Sequence, residues 1–214
     1  MKKLKVLGLS LCAVLLIAAS VLGTLAYLTA QDTVTNTFTV GQVDITLDET
    51  KVTPDGVPVE GVPRVKENNY HLIPGMTYVK DPTMTVVKGS EKSYVRMLVT
   101  INRYEELTAI FGTPFLPQYF VSGWDKDVWV STEKINVEAN TATYEFRYYE
   151  TVDASDGDIT LDALFDTITL PGDVTGAQLK TISDLEINVV GHAIQKAGFD
   201  DENAAWTAFD AQIG

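Results

Sequence analysis

Residues 94–101 read Tyr94, Val95, Arg96, Met97, Leu98, Val99, Thr100 and Ile101, with no glycine or proline and with apolar side chains on both alternate phases. A β-strand turns successive side chains to opposite faces, so a strand apolar on both phases has to be covered on both. This segment is therefore expected near the middle of a sheet, and the rest of the chain has to supply its neighbours and its cover. Other stretches offer them. Val34, Phe38 and Val40 alternate on one phase and Val43, Ile45 and Leu47 on the other, and the change of phase at Gly41 implies a bulge or bend. Residues 77–87 are rich in Thr, Val and Tyr but are interrupted by Asp81 and Pro82, which suits an edge position or a bulge. Further strands are expected over 127–131 around Trp129, 143–151, 164–170 and 185–195.

Between them lie turn and loop compositions. Pro54, Pro58 and Pro63 with Gly56 and Gly61 make residues 50–70 a loop or loose edge hairpin. Tyr104, Leu107, Ile110 and Phe111 have helical spacing, and Asp200, Asp201 and Glu202 supply an N-cap and acidic first turn for a terminal helix within 200–212, with Trp206 and Phe209 on one face. Many short strands and few helices predict a mainly β, two-sheet antiparallel sandwich with short peripheral helices.

The first residues have a different character. Lys2, Lys3 and Lys5 precede an apolar run over 6–22, and Gly23, Thr24, Leu25 and Ala26 follow. A basic region, an apolar core and a small-residue site are the order of a secretory signal peptide, so residues 1–26 are expected to be removed by a cut between Ala26 and Tyr27. A cut after Ser20 and retention as a membrane anchor are the alternatives, because the run approaches the roughly 20 residues that span a bilayer. Removal leaves one domain over 27–214, exported and without a stable membrane anchor. Cys12 is the only cysteine, so the mature domain is expected to hold neither a disulfide nor a thiolate metal site. The formal net charge of −13, more negative still without the three leader lysines, argues against nucleic acid or anionic lipid as partner.

Catalytic patterns are absent from the sequence. His71 and His192 are far apart, neither belongs to a His-Glu-x-x-His helix, and there is no Gly-x-Ser-x-Gly elbow or phosphate-binding glycine loop. No catalytic residue, cofactor or metal ligand is expected. Residues 153–162 hold Asp153, Asp156, Asp158 and Asp162 around Gly157, but Val152 and Ala154 fall where an EF-hand needs oxygen ligands, so a solvated turn is expected in place of a calcium site. Trp124, Trp129, Tyr144, Phe146, Tyr148 and Tyr149 are expected as core and cross-strand packing, with a carbohydrate platform as the alternative.

Gly23-Thr24-Leu25-Ala26-Tyr27-Leu28-Thr29-Ala30, followed by Asn36-Thr37-Phe38-Thr39-Val40-Gly41-Gln42-Val43-Asp44-Ile45, resembles the TasA/camelysin (CalY) family of secreted Gram-positive proteins. Leu72-Ile73-Pro74-Gly75-Met76 and the stretch from Ala193 through Phe199 to Trp206 resemble other members. The resemblance implies a jelly-roll-like sandwich, export through a SipW-type signal peptidase, and self-assembly into extracellular matrix or cell-surface fibres, with other matrix proteins as further partners. It also implies that the mature N-terminal segment, residues 27–40, is donated as a strand to the next subunit. Tyr27, Leu28, Ala30, Val34, Phe38 and Val40 are then the assembly residues. Addition of a strand to an open edge gains main-chain hydrogen bonds and buries alternate side chains. A monomeric surface binding module is the alternative; a camelysin-like metallopeptidase is a further one, which no ligand spacing here supports.

Overall fold

The computed structural model describes residues 41–112 and 121–213, with backbone alone for residues 133–135 and 213. In chain order the described elements are β1 (Ile45–Asp48), β2 (Thr77–Val79), β3 (Thr83–Val86), β4 (Ser93–Asn102), α1 (Tyr104–Phe111), β5 (Val121–Ser122), β6 (Trp129–Glu138), β7 (Thr141–Tyr148), β8 (Ile159–Thr160), β9 (Thr167–Thr169), α2 (Gly176–Thr181), β10 (Ile187–Gln195) and α3 (Glu202–Ile213). The protein is mainly β, with antiparallel sheets and short helices.

The strand apolar on both phases is β4, and it lies inside a four-stranded sheet of order β10-β4-β7-β6. Val95, Met97, Val99 and Ile101 point from it into the main core, where Ala142, Tyr144 and Phe146 of β7 join them. On its other face Arg96 is buried beneath α3. Both faces are covered, as the sequence required.

The second layer is built from short pieces. β3 lies between β1 and β8, and β9 lies between β2 and β5. Main-chain bonds carry the pairing across the gap: Leu161 N–H donates to the Met84 carbonyl (2.9 Å), Leu164 N–H to Pro82 (3.0 Å) and Lys80 N–H to Asp166 (3.0 Å). Residues 77–86 and 159–169 thus form one antiparallel pair, broken where Pro82 has no N–H to give. Three chain steps from Leu161 to Leu164 oppose two from Met84 to Pro82, so the break holds a bulge. The expectation of an edge position or a bulge at Asp81 and Pro82 is met by the bulge: β3, after the break, lies between β1 and β8, and β2, before it, ends the order β2-β9-β5.

The layers meet where Met84 lies over Gly191 of β10. A Cβ on Gly191 would overlap Met84 Cε and lie 3.5 Å from Ile45 Cδ1. The missing side chain therefore lets β1 and β3 close onto β10. Residues 50–70 form the loose hairpin, held by bridges between Glu49 and Val65 and between Val52 and Pro58. Arg64 fastens it, donating to Asp48 and Asp81 carboxylates, to both their carbonyls, and to the Thr50 and Thr83 hydroxyls. Burial pushes the Asp81 carboxyl up, but the Thr50 N–H, Arg64 and the Thr50 hydroxyl outweigh it and hold it below its ordinary value.

Three sequence expectations need correction. α2 was not expected; Thr175 and Gln178 cap it reciprocally in a capping box. β6 continues to Glu138, well beyond residue 131, and the acidic stretch contributes β8. The β6-β7 turn bends through Ala139 (φ 48°) and Asn140 (φ 63°), a left-handed pair that alanine adopts at a cost of roughly 1–2 kcal/mol. Asn140 then serves α1 from outside: its Oδ1 accepts from Glu105 N–H (2.7 Å) and its Nδ2 donates to Glu106 (2.7 Å). Ala139→Gly removes the Cβ strain and is expected to raise stability by about 0.5–1 kcal/mol, read as a higher urea midpoint at unchanged slope.

Candidate assembly groove

An antiparallel strand directs its backbone N–H and C=O groups alternately to its two sides. In the β10-β4 ladder the bonded pairs fall on even-numbered residues of β10, as the flanking bonds Asn102 N–H to Glu186 O (3.3 Å) and Lys196 N–H to Lys92 O (2.7 Å) fix. Ile187, Val189, Gly191, Ala193 and Gln195 therefore present their main-chain groups to the open side. Among the described residues no strand pairs with that side. In register with Ile101, Val99, Met97 and Val95, the side chains of Ile187, Val189 and Ala193 pack against the main core.

β1 faces this edge with the same arrangement. Val87 N–H donates to Asp44 O (2.9 Å), so Thr46 and Asp48 are bonded towards β3, and Ile45 and Leu47 present their main-chain groups away from it. Glu49, next in that series, exchanges two 2.8 Å bonds with Val65. The outer side of β1 thus already carries backbone pairing at one end. A groove of about 370 Å³ lies between Ile45–Glu49 and Ile187–Gly191. It runs into a recess of about 790 Å³ walled by residues 66–72 and 182–188, with Glu49 and Lys80 common to both. An extended segment laid along β10 would find donors, acceptors and an apolar floor there.

The expected cleavage residues Ala26 and Tyr27 and the expected assembly residues Tyr27, Leu28, Ala30, Val34, Phe38 and Val40 lie outside the described residues. The chain is described from Gly41, and it is fixed at once: Glu91 N–H donates to Gln42 O (2.9 Å), and Asp44 N–H donates to the Ser90 hydroxyl (3.0 Å), itself buried.

The remaining candidates fall elsewhere. Trp129, Tyr144 and Phe146 are buried, Trp124 and Tyr148 pack against the same core, and Tyr149 alone of the set is 56% exposed, so the aromatics form packing and not a platform. In the acidic stretch Asp158 accepts from Lys88 N–H, Asp153 from Ser155, and Asp162 from the Tyr148 hydroxyl. Among the described residues no three His, Cys, Asp or Glu side chains gather as a metal would need, and no helix is long and apolar enough to cross a membrane. His71 is exposed, 3.9 Å from Asp55.

His192 has a structural part that sequence reasoning missed. It lies on the outer face of β10, where Nδ1 accepts from Arg96 Nε (3.2 Å). The Arg96 guanidinium also binds Asp210 of α3 and Glu145 of β7 (3.2 Å), with Cζ 4.3 Å from the Trp206 ring centroid and 5.3 Å from that of Phe209. Arg147 continues the cluster to Glu145 (3.0 Å), Asn203 (2.7 Å) and Glu202 (3.9 Å). Its only local hint was an outward Arg in an apolar strand.

Comparison of the chain with family models, with curated proteins and with solved structures finds no match.

The cluster sets an acid limit on α3. Burial and the Arg96 charge hold His192 below its ordinary value of 6.5, so charging it costs the docked state. The hydrogen bond from Arg96 holds Asp210 below 3.8, against a smaller effect of burial, so its contribution is present above that value and lost as the pH falls through the lowered one. Docking of α3 is therefore expected to weaken below about pH 6.5 and again below about pH 4, read as a red shift of Trp206 fluorescence. His192→Gln keeps an acceptor at every pH and should remove the first step only.

Proposed function

We propose that the protein is an exported structural subunit that polymerises into extracellular matrix or cell-surface fibres, with its freed N-terminal segment added as a strand to the next subunit. The observation that carries this reading is the edge of β10, unpaired among the described residues, where Val189, Gly191 and Ala193 offer main-chain groups beside inward side chains. Edges of this kind are normally blunted by charge, proline or a covering loop, because they template pairing with another chain. Residues 187–194, Ile-Asn-Val-Val-Gly-His-Ala-Ile, contain none of the usual lysine or proline.

The segment proposed to fill it alternates suitably, with Val34, Phe38 and Val40 on one phase. Paired along β10 it would place them over the core while its backbone continued the sheet. A head-to-tail contact has no two-fold closure, so repetition gives a filament. Export through the 1–26 leader and cleavage before Tyr27 would keep the segment tethered until the protein has left the cell.

The test compares the chain beginning at Tyr27 with one lacking residues 27–32 and with Val189→Pro. The proline removes an N–H that faces the groove and takes no part in the β10-β4 ladder. By negative-stain microscopy the intact chain should form fibres, and both variants should stay as single particles while keeping the circular dichroism of a folded β protein. Strictly monomeric intact protein would favour a binding module. Fibres from both variants would place the assembly contact elsewhere.

A further inference from the structure

We propose that Lys80 and Asn68 become joined by an intramolecular amide bond, which the folded protein forms itself with Glu49 as the proton carrier. The inference is independent of fibre formation. Lys80 and Glu49 are both buried, with side chains 10% and 8% exposed, and Lys80 Nζ lies 2.7 Å from Glu49 Oε2. The other carboxylate oxygen, Oε1, accepts from Asn68 Nδ2 at 3.0 Å. One carboxylate therefore touches both an amine and the leaving nitrogen of a carboxamide. The carboxamide oxygen, Asn68 Oδ1, accepts from Val52 N–H at 3.0 Å, and Nδ2 also donates to Thr50 O at 2.8 Å.

These contacts supply the proton carrier between the two nitrogens and a donor at the carboxamide oxygen. Moving one proton across the 2.7 Å contact converts the ammonium and carboxylate to an amine and a carboxylic acid. The Lys80 Nζ lone pair then forms a bond to Asn68 Cγ, and the carbonyl π pair moves to Oδ1, where Val52 N–H stabilises the developing charge. Glu49 delivers its proton to Nδ2 and takes one from the attached Nζ. The carbonyl re-forms, the bond between Cγ and Nδ2 breaks, and ammonia leaves, taking the last proton from Glu49 as ammonium. No oxidant, metal or second substrate enters. General acid–base transfer by a carboxylate in contact with both nitrogens is the catalytic role.

The surroundings favour this chemistry over a simple ion pair. Tyr70, beside the site, is kept protonated by burial and by the Glu49 charge, and its hydroxyl donates to Val79 O (3.0 Å), so it does not compete for the carboxylate. Asn68 is held by three bonds at its amide, a fixed electrophile and not a rotating surface group. The product would tie the base of the 50–70 hairpin to the chain between β2 and β3, where Pro82 interrupts the backbone pairing. It would do so in a domain whose sequence beyond the leader has no cysteine for a disulfide.

Intact mass spectrometry of the purified, folded protein should give a mass one ammonia below that of its sequence, and protease digestion should yield a branched peptide joining Lys80 to Asn68. Glu49→Gln and Lys80→Arg should keep the full mass, and Asn68→Asp should form the same link with loss of water in place of ammonia. Full mass in the unaltered protein, with linear peptides containing intact Lys80 and Asn68, overturns the proposal even if the variants fail to fold. Loss of ammonia without a branched peptide, or a link formed equally well in folded Glu49→Gln, overturns it too.

Discussion

Glu49 is where the separate parts of this molecule are held together. Its backbone exchanges two bonds with Val65, which seats the hairpin on the end of β1, and its carboxylate contacts Lys80 and Asn68. Breaking a buried pair leaves an uncompensated charge and costs about 3–5 kcal/mol, so the hairpin, β1 and the kinked strand are tied at one point. Its neighbour Thr50 binds Asp81, and Arg64 binds Asp81 in turn, so the kink at Asp81 and Pro82 is surrounded by polar bonds where ladder bonds are missing. The break in the second layer is a supported feature, since the Asp81 carbonyl accepts from Arg64 and the Thr83 hydroxyl, and the Pro82 carbonyl accepts from Leu164 N–H.

The same point bounds the groove. Val65 occupies the outer side of β1 at Glu49, but among the described residues nothing pairs with the backbone of Ile45 and Leu47 on that side, nor with the edge of β10 that faces them. An open sheet has two edges, and each has to be paired, covered or left as a template. Gly191 sharpens the asymmetry: without a side chain, it lets Met84 and Ile45 close the layers near that edge, so the sandwich is sealed inside while β10 stays accessible along its flank. On the outer face of the same sheet α3 is docked through Arg96 of β4, with His192 of β10 against Arg96 and Phe209, so this sheet carries the latch on its face and, among the described residues, an unpaired strand at its β10 side.

Much of the fold was legible in the sequence. The alternation in residues 94–101 required a strand covered on both faces, helical spacing located α1, the acidic run before Trp206 located α3, and Pro82 marked a break. Local periodicity and turn chemistry suffice for such elements, because they depend on residues within one or two turns of chain. β8 and β5, only two residues each, were missed, since pairs this short acquire strand geometry from their partners and not from their own composition. Pro82 was read as an edge position or a bulge because a proline cannot donate, and the bulge opposite it is what makes its place next to β3 tolerable.

The site divides along the same line. By itself the sequence determined a basic and then apolar run at residues 2–22, no cysteine after Cys12, alternating apolar residues before Gly41, and none of the familiar catalytic patterns, because these are properties of neighbouring residues. Only the tertiary structure decided which edge stays unpaired, that Arg96 is spent on holding α3, and that Glu49, Lys80 and Asn68 converge. Those depend on hydrogen-bond register and on contacts between residues 19 to 114 positions apart, which no local pattern encodes.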